Sequence, residues 1–276
     1  MQWRFLPFCR LAAFENMAID EAVFRVNRRK DLPPTLRFYG WASPTVSLGY
    51  FQNVEMEVDV EACSRHHVQI VRRPTGGKAV LHNADLTYSV VAREENPLFP
   101  ADILGTYRVI SHCLANGMAL LGIKAEMAEN SRVPQGDALN ASCFSTPSRY
   151  ELLVENRKIC GSAQVRSRGV FLQHGSILMD FDPVKTCDVM LPRSDDYEGQ
   201  VERLKRAVTS IHEHIDSSID AEALSCVLKT AFEKTLSIQL VQGILSPEEE
   251  EFKMHLMTHK YMNARWNMEG GSRKWI

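Results

Sequence analysis

Apolar residues recur at two spacings along this chain, and each spacing predicts a type of element. Phe14, Met17, Ala18 and Ala22 fall three or four apart, which predicts an amphipathic helix over residues 13–29. "TLRFYGW" (35–41) and "TVSLGYFQ" (45–52) read as strands around the breaker Ala42-Ser43-Pro44. "VQIVRRPTGGKAVLH" (68–82) reads as a strand, a Gly-Gly turn and a second extended segment, and "LTYSVVA" (86–92) alternates as another strand. Asp102 is a good N-cap for a helix ending before Gly122, with Leu104, Tyr107, Ile110, Leu114, Met118 and Leu121 on its apolar stripe. Residues 124–148 are polar and carry Pro134, Gly136 and Pro147; a loop of that length is usually functional or partly disordered. "RYELLVENRKICGSAQV" (149–165) reads as a hairpin turning near Glu155-Asn156, and "VFLQHGSILMDF" (170–181) as a further strand. Past residue 200 the period turns helical. Val201, Leu204, Val208, Ile211 and Ile215 form one stripe, Asp220 caps a second helix, and Ser246-Pro247-Glu248-Glu249 opens a third with a capping box. Strands and helices without regular βαβ alternation predict an α+β sheet.

Composition narrows the class. The 276 residues, 45% hydrophobic and 24% charged, suffice for one large domain or one domain plus an appendage. A net charge of −2 supplies no global field to recruit nucleic acid. No apolar run approaches the ~18 residues of a membrane span. The start, "MQWRFLPFCRLAAFENMAIDEA", places polar and charged residues where a signal peptide needs its apolar stretch. The seven cysteines are Cys9, Cys63, Cys113, Cys143, Cys160, Cys187 and Cys226, with no CxxC spacing. That argues against a disulfide framework and a structural zinc site, and the expectation is a cytoplasmic protein with free, mostly buried thiols.

Few segments carry chemistry on their own. In "RRPTGGKAVLH" the glycines permit close approach of a ligand to the main chain beside a basic pair. A hairpin turn with surface arginines is an equal reading, and neither Walker A nor G-x-G-x-x-G spacing is present. Cys143 sits among Asn140, Ser142, Ser145 and Thr146 rather than in an apolar run. A nucleophilic thiol needs a nearby cation or helix N-terminus to become a thiolate, and Lys158, just ahead of Gly161, Ser162 and Ala163, is the candidate cation. Spacing alone favours an inert thiol for any single cysteine, and Cys160 reads as a packing residue beside Ile159. His82 and His174, the latter before Gly175-Ser176, are pocket or core histidines. His255 and His259 have i,i+4 spacing but lack the Glu of H-E-x-x-H and a third ligand, so they read as a helix face and no metal site is expected.

Taken together and in order, "RRPTGGKAVLH", "CFSTPSRYEL", "RKICGSAQVRSRGVFLQHGSIL" and "KYMNARWN" resemble the lipoate–protein ligase A and octanoyltransferase family over nearly the whole chain. "CFSTPSRYEL" is similar to the loop C-F-x-x-P-S-x-Y-E-L that carries the catalytic cysteine in octanoyltransferases of the family. The resemblance implies an α+β (α/β sandwich) fold related to the biotin protein ligase catalytic domain, with a large mixed sheet, a smaller sheet and flanking helices. It implies a single catalytic domain over 1–276, with a family-like core over roughly 31–240 and a C-terminal helical extension over roughly 241–276. An acyl chain would lie in a tunnel near the Arg-Arg-x-x-Gly-Gly loop, placing Arg72, Gly76, Gly77 and His82 at its wall. Lys158 would lie beside the acyl carbonyl, and Gly161, Ser162, Ala163, His174 and Gly175 around the pocket. Lys78 and Asn83 depart from the Gly-Gly-Gly and His-Asp that ligases of the family commonly carry here.

The implied activity is octanoyl-[acyl carrier protein]:protein N-octanoyl transfer in lipoate biosynthesis, without a cofactor or ATP. Octanoyl-acyl carrier protein would be the donor and a lipoyl-domain protein such as the glycine cleavage H protein the acceptor. Cys143 would carry the acyl thioester, and Lys158 would lower its pKa and orient the carbonyl. Three alternatives remain: an ATP-dependent lipoate–protein ligase, an amidotransferase between carrier domains, and a carrier-binding scaffold without turnover.

Overall fold

The computed structural model describes residues 1–30, 32–128, 151–190, 195–216 and 219–270. Its strands form two sheets. The large sheet contains β1 (Gln2–Leu11), β2 (Thr35–Trp41), β6 (Asp85–Arg93), β7 (Glu126–Met127), β8 (Leu152–Val154), β9 (Arg157–Ser167), β10 (Val170–Leu178) and β11 (Gln239–Gln242). The small sheet contains β3 (Thr45–Leu48), β4 (Gln69–Arg72) and β5 (Val80–His82). The large sheet runs β11-β1-β2-β6-β10-β9-β8-β7; β1 is parallel to β11 and β2, and every other pairing is antiparallel. The small sheet runs β4-β3-β5. The helices are α1 (Ala13–Asn27), α2 (Val54–Glu57), α3 (Val60–Arg65), α4 (Ile103–Ala119), α5 (Pro183–Val189), α6 (Tyr197–Ala207), α7 (Ala221–Leu236), α8 (Pro247–Leu256) and α9 (Ala264–Glu269). Among the described residues no helix is long and apolar enough to cross a membrane.

Period-two alternation sorts the central strands into two faces. Leu86, Tyr88, Val90 and Ala92 of β6 pack with Ile110 and Leu114 of α4 and with Leu228 and Phe232 of α7. Each fully buried apolar side chain there contributes about 1.5–3 kcal/mol. On the opposite face, Ile19, Val23 and Phe24 of α1 meet Val91 and Leu172, while Met17 and Ala22 join Tyr39 and Trp41. The segment after β11 covers α1 in turn: Leu256, Tyr261 and Trp266 enter the same cluster. Glu21 of α1 is buried there, and it accepts hydrogen bonds from Lys260 at 2.7 and 2.9 Å and from the Tyr261 hydroxyl.

Several elements differ from the sequence expectation, each for a local reason. β1 and β11 have no clean alternation; Pro7 falls inside a register shift between Leu6 and Cys9. The strand expected over 45–52 stops at Leu48, because the carbonyls of Gly49 and Gln52 turn to accept from the Arg72 guanidinium. Strands β2 and β3 do not pair across Ala42-Ser43-Pro44; they enter different sheets. Likewise β4 and β5 are separated by β3, so 73–79 crosses a strand instead of closing a hairpin. The stripe from Val201 to Ile215 breaks after Ala207, where Val208 turns extended and bridges Lys158 and the Thr209 amide donates to the Lys158 carbonyl at 2.9 Å. Within the expected loop 124–148, Glu126–Met127 adds an edge strand to β8; the rest, from residue 129, lies outside the described residues.

Candidate active site

The polar side of the large sheet faces the small sheet across a cavity of about 190 Å³. Its lining is mainly apolar and draws on β2, β6, β9 and β10 below, β3 and β5 above, and the 73–79 loop at one side. Met17 of α1 also reaches it. Alternation explains the arrangement. On the face of β6 and β10 turned away from α4 and α7, Thr87, His174 and Ser176 line the cavity, while Val91 and Leu172 further along the same face pack on α1.

A β-bulge aims the key cation. In an uninterrupted strand Lys158 and Cys160, two residues apart, would share a face. Instead the register slips: Leu152 pairs with Cys160 while Leu153 pairs with Lys158, so Ile159 is the extra residue. Ile159 and Cys160 therefore both enter the helix-covered core, whereas Lys158 lines the cavity. Burial pushes the Cys160 thiol up to about 12, as fits an inert packing residue. The Lys158 ammonium, only 5% exposed, donates to the Glu151 carboxylate at 2.6 Å. It folds over Gly161: a Cβ there would stand 3.0 Å from Lys158 Cε and 3.1 Å from Nζ.

Arg73 organises the opposite wall. Its guanidinium donates to the carbonyls of Ser47 (2.8 Å), Gly76 (2.8 Å) and Lys78 (2.7 Å), and to the hydroxyls of Ser47 (3.1 Å) and Thr75 (3.2 Å). These bonds hold the Gly-Gly turn, where Gly77 adopts φ +90°, a conformation glycine takes without steric cost. Each hydroxyl then continues to a histidine backed by a buried carboxylate. Ser47 Oγ is 2.9 Å from His82 Nε2, and His82 Nδ1 is 2.8 Å from Asp85 Oδ2. Thr75 Oγ1 is 2.7 Å from His174 Nε2, and His174 Nδ1 is 3.2 Å from Asp20 Oδ2. A carboxylate only accepts, so each imidazole donates from Nδ1 and accepts at Nε2 when neutral. The Trp41 ring stacks on His82 with centroids 4.1 Å apart.

The residues expected to build the pocket separate into three groups. Gly77, His82, Gly161, Ser162, Ala163, His174, Gly175 and Lys158 all line the cavity. Gly76 contributes its carbonyl to Arg73 and is not part of the wall. Arg72 is a correction: its side chain is fully buried away from the cavity, donating to carbonyls of Gly49, Gln52, Trp266 and Asn267. On a strand only one of two adjacent arginines can face the cavity, and that residue is Arg73. Cys143 lies outside the described residues. Sequence reasoning missed Arg73, Glu151, Asp20 and Asp85. A signal existed for Asp20: it falls on the same three-to-four spacing as Met17 and Phe24, where a carboxylate is out of place unless paired.

Burial pushes the His174 imidazole below its ordinary value, against the opposing pull of its Asp20 bond, with Arg73 and His82 adding to the depression. Burial alone would raise Asp20, but the His174 hydrogen bond and the Arg37 charge hold it below the usual carboxylate range. The folded state thus keeps His174 neutral where the unfolded chain protonates it. Below about pH 6.5 the unfolded state binds more protons, so stability falls with pH through that window. Depressed carboxylates such as Asp20 add a second loss nearer pH 4. Denaturant melts between pH 8 and pH 5 are expected to show the first decline in the natural protein and a flatter profile in His174→Gln.

The chain belongs to the lipoyl protein ligase A/B catalytic domain family, whose pattern matches residues 12–233, and it has the lipoate/biotin ligase-like catalytic fold. It is 41% identical over 270 residues to octanoyltransferase LipM of Bacillus subtilis, covering 96% of this chain and 97% of that protein. With octanoyltransferase LipM of Kyrpidia tusciae it shares 43% identity over 269 residues, covering 96% and 98%. Among solved structures, lipoate-protein ligase A bound with ATP superposes with a TM-score of 0.80 at 28% identity, covering 97% of this chain and 99% of that one. The T. acidophilum protein Ta0514 with bound lipoic acid gives a TM-score of 0.80 at 26% identity over 98% and 99%.

Proposed function

We propose that this chain is an acyltransferase, an octanoyltransferase of lipoate biosynthesis acting in the cytoplasm. The observation that carries the reading is the buried Lys158 ammonium at the head of a mainly apolar cavity, in a chain closely similar to octanoyltransferases over its length. The donor is octanoyl-acyl carrier protein, and the acceptor is a lysine of a lipoyl domain, with the glycine cleavage H protein as the assigned case. The nucleophile is assigned to Cys143.

The chemistry balances without ATP, because the donor thioester is already activated. The Cys143 thiolate attacks the octanoyl carbonyl, the donor C–S bond breaks, and the carrier thiolate leaves and takes a proton. The neutral acceptor amine then attacks the new thioester, a C–N bond forms, the Cys143 sulfur leaves as thiolate, and the amine releases one proton. Such two-step transfer shows ping-pong kinetics. Lys158 supplies positive charge beside the thiolate and donates to the carbonyl oxygen as negative charge develops on it.

The likeness to a ligase bound with ATP favours one competing reading, in which free lipoate or octanoate is activated as an acyl-adenylate. Intact mass separates the two. Mixed with octanoyl-acyl carrier protein and no ATP, the protein is expected to gain one octanoyl group that hydroxylamine removes, and Cys143→Ala none. Acylation of the acceptor that requires ATP and survives Cys143→Ala would instead establish the ligase.

A further inference from the structure

The two hydroxyl–imidazole–carboxylate chains are built alike but end differently. Thr75 is fully buried and does not border the cavity, so the hydroxyl of the chain through His174 and Asp20 is closed off from any ligand. Ser47 and His82 both line the cavity. Ser47 Oγ stands 2.9 Å from His82 Nε2, and His82 Nδ1 stands 2.8 Å from Asp85 Oδ2. Those are the contacts of a nucleophile, its base and the group that orients the base. Here they open onto a space with a mainly apolar lining.

The surroundings suit each member to that role. Asp85 Oδ2 also accepts from Ser176 at 2.6 Å and from Thr87 at 3.0 Å, so the carboxylate is fixed in place. An accepting carboxylate holds the His82 proton on Nδ1 and leaves Nε2 to receive another. The stacked Trp41 ring fixes the imidazole plane. Arg73 Nη1 donates to Ser47 Oγ at 3.1 Å, so the serine keeps its own proton for His82. The guanidinium charge also stands beside the oxygen on which negative charge develops.

We infer that Ser47, His82 and Asp85 form a second acyl-transfer centre, which hydrolyses small carboxylic esters with apolar acyl groups and does not need Cys143. Ser47 Oγ bonds to the acyl carbon as its proton passes to His82 Nε2. The C–O bond to the leaving alcohol breaks, and the alcohol takes that proton. Water then attacks the Ser47 ester and gives a proton to Nε2, the serine oxygen leaves and recovers it, and the carboxylic acid departs. The activity goes beyond octanoyl transfer and stands on different residues.

The test uses diisopropyl fluorophosphate, which phosphorylates activated hydroxyls with loss of fluoride, and 4-nitrophenyl butanoate as the ester. The full-length protein is expected to gain one diisopropylphosphoryl group, placed on Ser47 by peptide mass mapping. Cys143→Ala should take the same group and keep its ester hydrolysis. Ser47→Ala should take none, and its kcat/KM for the ester should fall about 10²-fold or more, as should that of His82→Gln. Mapping on the natural protein decides the matter if either variant does not fold. No adduct on the natural protein, or an adduct on another residue, overturns the second centre. Ester hydrolysis that disappears with Cys143→Ala while Ser47 stays unlabelled overturns it too and assigns that turnover to the thiol. None of these results depends on octanoyl transfer, which the acyl-thioester experiment tests separately.

Discussion

Lys158→Met is expected to lose both activity and stability, and a second substitution recovers only one of them. On the proposed mechanism, removing the cation withdraws the charge that would stabilise the Cys143 thiolate and the donor to the carbonyl, so acyl-enzyme formation should slow by about 10²–10⁴-fold. It also takes from the Glu151 carboxylate its partner at 2.6 Å. Breaking a buried ion pair from one side costs about 3–5 kcal/mol, whereas replacing both charges is often nearly neutral. Lys158→Met/Glu151→Gln should therefore regain most of the melting temperature while acyl-enzyme formation, followed by quenched-flow mass measurement, stays slow. Equal recovery of both would show that Lys158 acts only in folding. A gentler probe is Gly161→Ala, whose Cβ would press on Lys158 Cε and Nζ, so transfer should fall while stability changes little.

That lysine also shows where sequence reading reaches its limit. Its importance was legible through the resemblance carried by "RKICGSAQVRSRGVFLQHGSIL", but its direction was not. Strict alternation puts Lys158 on the core face with Cys160, and only the slip around Ile159 moves it to the cavity. A bulge leaves no mark in the pattern of apolar and polar residues when the extra residue is itself apolar.

Elements with strong local signals were legible. The helices capped by Asp102, Asp220 and Ser246 begin where expected, because an N-cap side chain satisfies orphan backbone amides whatever the tertiary context. The turn at Glu155-Asn156 also holds, with φ of 51° and 61°. Sheet membership was not legible, because hydrogen bonds between distant strands decide it. Nothing in "TLRFYGWASPTVSLGY" says that its two strands enter different sheets, yet that division opens the cavity between them. The carboxylates behind the histidines were missed for a related reason. Asp20 stands 154 residues from the imidazole it orients, and only the fold pairs them; Asp85 stands 3 residues from His82, across the short turn between β5 and β6.

The Arg-Arg pair carries the second large prediction. Both guanidiniums are buried and bonded to backbone carbonyls, so both hold loops together. Lysine offers three donors from one point in place of a planar fork, and cannot serve acceptors on several sides. With hydrogen bonds to a charged donor worth about 1.5–3 kcal/mol each, losing two of them costs about 3–6 kcal/mol in either variant. What separates the two is the site. Arg73 touches Ser47 and Thr75, and through them His82 and His174, so Arg73→Lys frees the Gly-Gly turn and unties both hydroxyl–histidine–carboxylate chains. Arg72→Lys loosens the junction of residues 49–52 with 266–267, on the far side of β4. Measured per folded molecule, below the melting temperature of each variant, kcat/KM is expected to fall about 10²-fold or more for Arg73→Lys, the scale of a misplaced site. The loss for Arg72→Lys should be far smaller. Equal losses of activity would mean that the two arginines act only by holding the loops, and that the chains of hydroxyl, imidazole and carboxylate do not set the geometry of transfer.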